Sequence, residues 1–546
     1  MPSALYTDVA MKSDLATLDL LIVVLYVLGT TLLGAWFTRQ QRNLRVYFVG
    51  DRDVSWWLVL ISIVATETST VTFLSVPGLA FRRPTALNPE PGNLTFLQLS
   101  FGYILGRLCI AWLLIPQYLR GELFSAYELL RQRFNAAVQR TASGLFLLTR
   151  ALADGLRLYL AALLLEQFTG WNSQVSVLVI GLATMVYTYL GGMQAVIWTD
   201  LIQFVIYIAG AFVAAFFIVH QVPDGWAGFV ALGQQEHKFQ VLDFRFDLTQ
   251  PFTFWAGLIG GAFFTMASHG ADQMMVQRYL CSRTLPQARL ALILSGFVVL
   301  AQFLLFLLIG VGLYVLTHEG ILRLPAQTKD DAVFGYFIVH FLPSGVVGLV
   351  IAAVLAASMS SLSSSLNSSA SAFTSDFYRP LRPGQPEGHY LFVSRIMTTV
   401  WGLTRIGVAL IAVSLMSDSN VITQVLRVAG FTTGMILGLF LLGSMHPPVR
   451  SGAALAGLVV GFFTVFVVWL PSAAPRELSA WLATIWGDQA IPQPLLVWAH
   501  SPLAWPWYAV IGTATTVAVA LLADLRKGRH GSLANRGPQP GLHKPR

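Results

Sequence analysis

The chain has 546 residues, 55% hydrophobic and 11% charged, with a mean hydropathy of +0.65; soluble domains carry about 25% charged residues, so a water-soluble globular protein is excluded. The net charge of +8 resides in short loops between apolar runs, where basic excess is an ordinary topology signal, and nucleic-acid binding is not expected. Two cysteines, Cys109 and Cys281, give no basis for a disulfide framework or a cysteine-ligated metal.

One helical crossing of the hydrocarbon core needs about 20 apolar residues. Thirteen runs of that kind lie near residues 17–38, 54–80, 94–116, 141–168, 172–190, 194–220, 253–279, 288–317, 343–373, 391–416, 421–445, 451–471 and 503–524, which predicts an all-α integral membrane protein. The first run lacks a basic leader and exceeds a signal-peptide core, so it reads as a true span that is not cleaved. Arginines collect in alternate loops: Arg39, Arg42, Arg45 and Arg52, then Arg120, Arg131, Arg133 and Arg140, then Arg278, Arg283 and Arg289, then Arg379 and Arg382. The positive-inside rule places these loops in the cytoplasm and the N-terminus outside, with Arg82 and Arg83 as outnumbered exceptions. The Gly-, Pro- and Arg-rich tail from Leu525 to Arg546 reads as cytoplasmic and disordered.

Ionisable groups at membrane depth point to a cavity or a partner. In the second run Glu67 lies among Thr66, Thr68, Ser69, Thr70, Thr72 and Ser75, ahead of Pro77 and Gly78; such a helix is expected to break. The fourth run places Arg150, Asp154 and Arg157 on one helix face, a triad with one positive charge to spare. That charge suits a carboxylate solute, or a structural pairing with Glu67 or Asp200. The seventh run carries Ser268, His269, Gly270, Asp272 and Gln273 after an apolar start, predicting a second break five spans after the first. Five is odd, so the two broken helices run in opposite directions, as a five-plus-five inverted repeat requires. His269 reads as a hydrogen-bonding pocket residue, since no second histidine stands at metal-ligand spacing. Arg427 in the eleventh run has no spacing that assigns it a role.

The ninth run packs nine serines into Ser358–Ser371. Close packing alone would be served by Ala or Gly, whereas hydroxyl and carbonyl oxygens are what a hard monovalent cation needs on shedding water. Ala357, Ser360, Ser361, Ser364 and Asn367 form one polar stripe, a candidate cation site.

The segments "YFVGDRDVSWWLVLISIVAT" (47–66), "YTYLGGMQAVIWTDLIQFVIY" (187–207), "DQMMVQRYLCSR" (272–283) and "AASMSSLSSSLNSSASAFTSDFY" (356–378) resemble the sodium:solute symporters, over roughly residues 17–445. The resemblance implies a leucine-transporter-type fold: residues 1–46 as an extra helix and loop, 47–220 and 253–446 as the two repeats, 221–252 as an extracellular loop, 447–524 as two further helices and 525–546 as the tail. It implies a sodium site at Ala65, Thr68, Ala357, Ser360 and Ser361, and a possible second at Asp200, Ser360, Ser363 and Ser364. A substrate pocket of Glu67, Ser69, Thr72, Thr265, Ser268, His269 and Asp272 would suit a sugar or polyol, and with Arg150 or Arg157 an organic acid; the choice stays open. The expected protein is therefore a sodium-coupled symporter of a small polar solute in the inner (plasma) membrane. It is not expected to be an enzyme, and it should be functional as a monomer with a dimer possible. Proton coupling, a solute sensor and a passive channel are the rival readings.

Overall fold

The structure is a computed structural model describing residues 16–36, 44–84, 91–120, 123–325, 328–415, 434–445, 449–473, 475–486, 492–500 and 502–534. Helix α1 (Thr17–Trp36) leads through the short α2 (Leu44–Val49) to a broken helix, α3 (Trp56–Glu67) and α4 (Thr70–Phe81). Next come α5 (Gln98–Leu113), α6 (Ile115–Leu119), α7 (Tyr127–Arg133) and the long α8 (Ala136–Thr169) and α9 (Ser173–Gln221). Helix α10 (Gly225–Gln235) precedes a second broken helix, α11 (Gly261–Gly270) and α12 (Gln273–Leu280), and then α13 (Leu285–His318). The chain continues through α14 (Val333–Phe341), the serine-rich α15 (Val346–Phe373), one turn of α16 (Arg379–Leu381), α17 (Glu387–Leu415) and α18 (Gly434–Ser444). It closes with α19 (Ser451–Ala473), α20 (Pro475–Trp486), α21 (Gln493–His500) and α22 (Pro506–Ala534).

Among the described residues, eight helical stretches are long and apolar enough to cross a bilayer, or nine with α3 and α4 taken as one span bent by 62°. Thirteen runs were expected, and the difference has local causes. The fifth and sixth runs are two helical segments that meet at Gly192 and count as one stretch, α9; φ of 57° and ψ of −159° there are non-helical and suit a residue without a Cβ. The seventh run is divided between α11 and α12, and α8 carries five charged residues, Arg140, Arg150, Asp154, Arg157 and Glu166. The first part of the eleventh run, with Arg427, lies outside the described residues. The tail departs from expectation as well: "LLADLRK" keeps good helix formers going, and α22 continues to Ala534.

Every residue of α15 from Val350 to Ala372 is buried, so its serines meet neighbouring helices rather than lipid. Its N-terminus is held from outside the helix. Asp19 of α1 is 3% exposed, and its Oδ1 accepts from the backbone N–H of Gly345 and of Gly348, both at 2.7 Å, while Oδ2 accepts from the Ser344 hydroxyl at 3.2 Å. A carboxylate there satisfies orphan N–H groups and complements the helix dipole. A Cβ on Gly348 would lie 2.6 Å from the Asp19 Cα, so only glycine lets the two backbones meet.

Two further contacts fasten opposite ends of the bundle. After α10 the chain folds back, and Lys238, fully buried, donates to the carbonyls of Ala80, Phe81 and Arg82 at 3.2, 3.4 and 3.2 Å, the negative end of α4. Its Nζ stands 3.5 Å from the Tyr314 ring centroid. On the arginine-rich face, buried Asp376 accepts from Ser125 (2.6 Å), Gln139 (2.7 Å) and Ser143 (2.7 Å), tying the end of α15 to the α7–α8 region. Burial, and after it the Asp376 charge, pushes the Glu128 carboxyl on α7 up to about 7.

Two outcomes follow. Asp19→Ala should cost about 0.5–2 kcal/mol, the range for a lost N-cap, and lower the melting temperature in detergent, whereas Asp19→Asn, which keeps an acceptor for Gly345 and Gly348, should be milder. Because the folded pKa of Glu128 lies above the unfolded value, its proton favours the folded state at low pH, and that contribution is lost as pH rises from about 4.5 to about 7. Glu128→Gln should flatten the fall of melting temperature across that window; an unchanged pH profile would contradict the assignment.

Candidate functional site

Helix α3 stops at Glu67 because Thr68 turns to an extended conformation, and α4 restarts with a Ser69–Thr72 capping box. The last carbonyls of α3 are thereby released from their ladder. Ser361 of α15 faces them: its hydroxyl donates to the Thr66 carbonyl at 3.0 Å and the Thr68 carbonyl at 3.3 Å. The Thr68 side chain is fixed by Gln302 of α13, whose Nε2 lies 2.7 Å from its Oγ1, and by the Tyr207 hydroxyl at 3.3 Å. Ala65 and Ala357 are buried on the two facing helices. The second break is built alike: Asp272 caps α12 by accepting from the Met274 N–H at 2.8 Å.

One helical turn from the first break lies a buried acid. Asp200 of α9 accepts from Ser62 and from Ser360, each at 2.5 Å, and pairs with Arg278 at 3.0 Å; acid and base are both fully buried. Arg278 also bonds the Ser62 hydroxyl (2.9 Å), the Met274 carbonyl (2.5 Å), the Ser364 hydroxyl (2.5 Å) and the Thr66 hydroxyl. The sequence placed Arg278 in a cytoplasmic loop; the structure buries it between α3, α9 and α15, so it drops out of the charge count that sets orientation. Ser360 therefore faces Asp200 rather than the α3 carbonyls, and Ser363 bonds back to the Ser360 carbonyl at 3.0 Å.

Two more ionic clusters flank the breaks. Glu67 pairs with Arg107 of α5 and lies 3.4 Å from His269 Nε2, while Arg107 also donates to Ser295 at 3.0 Å. Ser268 meets His269 Nδ1 at 3.0 Å, and Thr265 is buried with its hydroxyl unpartnered. Across the bundle Arg150 bonds Asp272 at 2.5 and 3.1 Å, Arg157 bonds Asp154 at 3.0 Å, and Arg405 of α17 stands 3.6 Å from Asp154 and bonds Ser365 and Ser369. Three guanidiniums thus share two carboxylates. Arg157 Nε has no partner, and Arg157 lines a small cavity of about 10 Å³ with Ser69, Thr70, Asp154, Ser358 and Ser361. That space holds about one water, and it places the N-terminus of α4, a guanidinium and Ser361 around one point.

The profile of the family described as the sodium:solute symporter family matches residues 47–461. The chain belongs to the sodium:solute symporter family. Among its relatives, the sodium/sialic acid symporter NanT of Aliivibrio fischeri is 30% identical over 84% of this chain and 88% of its own. The human sodium/iodide cotransporter is 28% identical over 93% of this chain and 83% of its own. A solved structure of a Na+-coupled sialic acid symporter in a substrate-bound outward-open state superposes with a TM-score of 0.80 at 28% identity, covering 94% of this chain and 98% of that one. These are transporters, and nothing in the family match indicates an enzyme.

The sequence of this symporter family member named most of the buried acids and the Arg150–Asp154–Arg157 triad, but it offered Glu67 or Asp200 to the spare charge, whereas Arg150 binds Asp272, Glu67 is taken by Arg107 and Asp200 by Arg278. Arg107, Arg405 and Gln302 were passed over, although Arg107 is the single charge of its apolar run and Arg405 one of two, with Arg395, in its own, and the cost of such charges could have flagged them. The Asp200–Arg278 pair carries a stability prediction. Arg278→Gln strands a buried carboxylate and should cost about 3–5 kcal/mol, read as a large drop in melting temperature, and Asp200→Asn in the same chain should restore much of it. Additive losses in the double variant would show that the two groups do not act as a pair.

Proposed function

We propose that the chain is a sodium-driven symporter of a small carboxylate-bearing solute, working by alternating access between two inverted five-helix repeats, with the arginine-rich face and C-terminus in the cytoplasm. The observation that carries the solute class is the excess of one guanidinium in the Arg150–Arg157–Arg405 cluster beside the N-terminus of α4. A positive helix end and a spare guanidinium together receive a carboxylate. The named relatives handle sialic acid and iodide, and both are anions.

In this reading the first sodium takes the place of the hydrogen bonds that Ser361 makes to the α3 carbonyls. The ion is held by the carbonyls of Ala65, Thr68 and Ala357 with the Ser361 hydroxyl, Thr66 is added to this set by its contact with Ser361, and Ser360 joins it only by turning its hydroxyl away from Asp200. Its charge draws the α3–α4 break against α15 and turns Ser69 and Thr70 toward Arg157, so the ion builds the carboxylate pocket it does not touch. Arg150 stays with Asp272, while Ser268, His269 and Thr265 remain for the polar remainder of the solute, with Glu67 and Thr72 shaping the wall. A second sodium at Asp200, Ser360, Ser363 and Ser364 would have to displace Arg278, which favours one ion per cycle. Each sodium that crosses supplies about 2.3 kcal/mol per 100 mV.

Uptake into proteoliposomes tests the reading, with a sugar acid, a monocarboxylate and a neutral sugar under sodium and choline gradients. Accumulation of a carboxylate under sodium alone is expected. Arg157→Gln should weaken its apparent affinity at least tenfold through loss of a charge-assisted bond, and Ser361→Ala should raise the half-saturating sodium concentration about tenfold. Accumulation under choline, or preference for the neutral sugar, would refute the coupling ion or the solute class respectively.

A further inference from the structure

A cavity of about 450 Å³ opens on the arginine-rich face, and none of its lining residues belongs to α15 or to either break. It is walled by Trp112 at the end of α5, Gln117 of α6, Arg120 beyond it, Arg133 at the end of α7, Arg289 near the start of α13 and Ser444 at the end of α18. Three guanidiniums therefore share one concavity. Among the described residues neither Arg120 nor Arg133 has a carboxylate partner. Arg289 is the fixed member: its Nε donates to the Ala111 carbonyl at 2.8 Å, and its guanidinium carbon lies 4.3 Å from the Trp112 ring centroid. Gln117 is anchored by donating to Ser444 and Leu113, each at 2.7 Å, which leaves its buried carbonyl oxygen unpartnered.

Three guanidiniums that no described carboxylate balances call for an anion, and arginine forks match phosphate oxygens. The rim says which anion. Trp112 is 63% exposed and Leu113 49% exposed, an apolar lip of the kind found where a helix leaves the hydrocarbon core. Basic pockets between spans on the cytoplasmic side bind lipid head groups. We propose that the cavity binds the phosphate of an anionic phospholipid between Arg120, Arg133 and Arg289, with its acyl chains along Trp112 and Leu113. Because Arg120 and Arg133 come from residues 47–220 and Arg289 from residues 253–446, a bound lipid joins elements of both halves. The proposal rests on this face lying at a membrane surface, and is independent of which solute is carried.

Native mass spectrometry of the full-length protein in detergent tests it, with phosphatidylglycerol and phosphatidylcholine of matched acyl chains. The expected result is one tightly retained phosphatidylglycerol, favoured at least tenfold over phosphatidylcholine. Arg120→Gln and Arg133→Gln should each weaken retention about fivefold, and Arg382→Gln, outside the cavity, should leave it unchanged. Neither of the first two side chains supports the fold through a bond to a described residue, and unchanged melting temperatures would verify that the variants are folded. Equal retention of the two lipids, or retention indifferent to Arg120 and Arg133, overturns the site. Displacement of the lipid by millimolar inorganic phosphate would make it a soluble-anion site and overturn the lipid assignment.

Discussion

Hydrocarbon supplies no hydrogen bonds, so a helix broken at membrane depth survives only where other protein groups bind its freed ends. The contact of Ser361 with the Thr66 and Thr68 carbonyls meets that requirement at the first break, and Asp272 with its Met274 bond meets it at the second. A hydroxyl suits the first position because it is a donor that can also become a ligand. Rotated one way it satisfies carbonyls; rotated the other way, in the proposed cycle, its lone pairs face the sodium ion. Alanine would leave the carbonyls bare, and a charged donor would hold them too firmly for an ion to compete.

The charges follow the same logic at higher stakes. Glu67, Asp154, Asp200 and Asp272 are paired to arginines arriving from α5, α8, α12 and α17. The Glu67–Arg107, Asp272–Arg150 and Asp200–Arg278 pairs each link an element at a break to another helix, while Asp154 joins α8 to α17, so in the proposed cycle a movement at either break changes the partners of buried ions. Such rearrangement is discrete rather than gradual, because an intermediate with an unpaired buried charge costs several kcal/mol. Closely packed glycine contacts, as at Gly348 against Asp19, supply the rigid counterpart.

Both breaks were legible in the sequence, because polar residues interrupt otherwise apolar runs and a capping residue follows each gap. The serine stripe was legible as polar but not as divided. Ser361 faces the α3 carbonyls, Ser360 and Ser364 belong to the Asp200–Arg278 cluster, and Ser365 and Ser369 receive Arg405. Helical spacing gives a face, and only the neighbours give each residue its partner. Arg107 and Arg405 were hidden by averaging, since one or two arginines barely lower the hydropathy of a run of twenty or more residues. Arg278 was misplaced for the opposite reason: the polar stretch "DQMMVQR" reads as a loop edge, and it is buried only because α3, α9 and α15 close over it.

Lys238 holds the segment after α10 against the end of α4, and burial pushes its ammonium down to about 7. That acidity belongs to the buried nitrogen alone, which is sealed by three carbonyls and the Tyr314 ring and reverts to an ordinary lysine once water reaches it. The protein thus carries its own covalent reporter. While the segment is seated, an acylating reagent finds no access to this nitrogen, and once it lifts the nitrogen reacts as any exposed lysine does. The time course of its modification then reads the opening of one face directly, without an engineered cysteine or an attached dye.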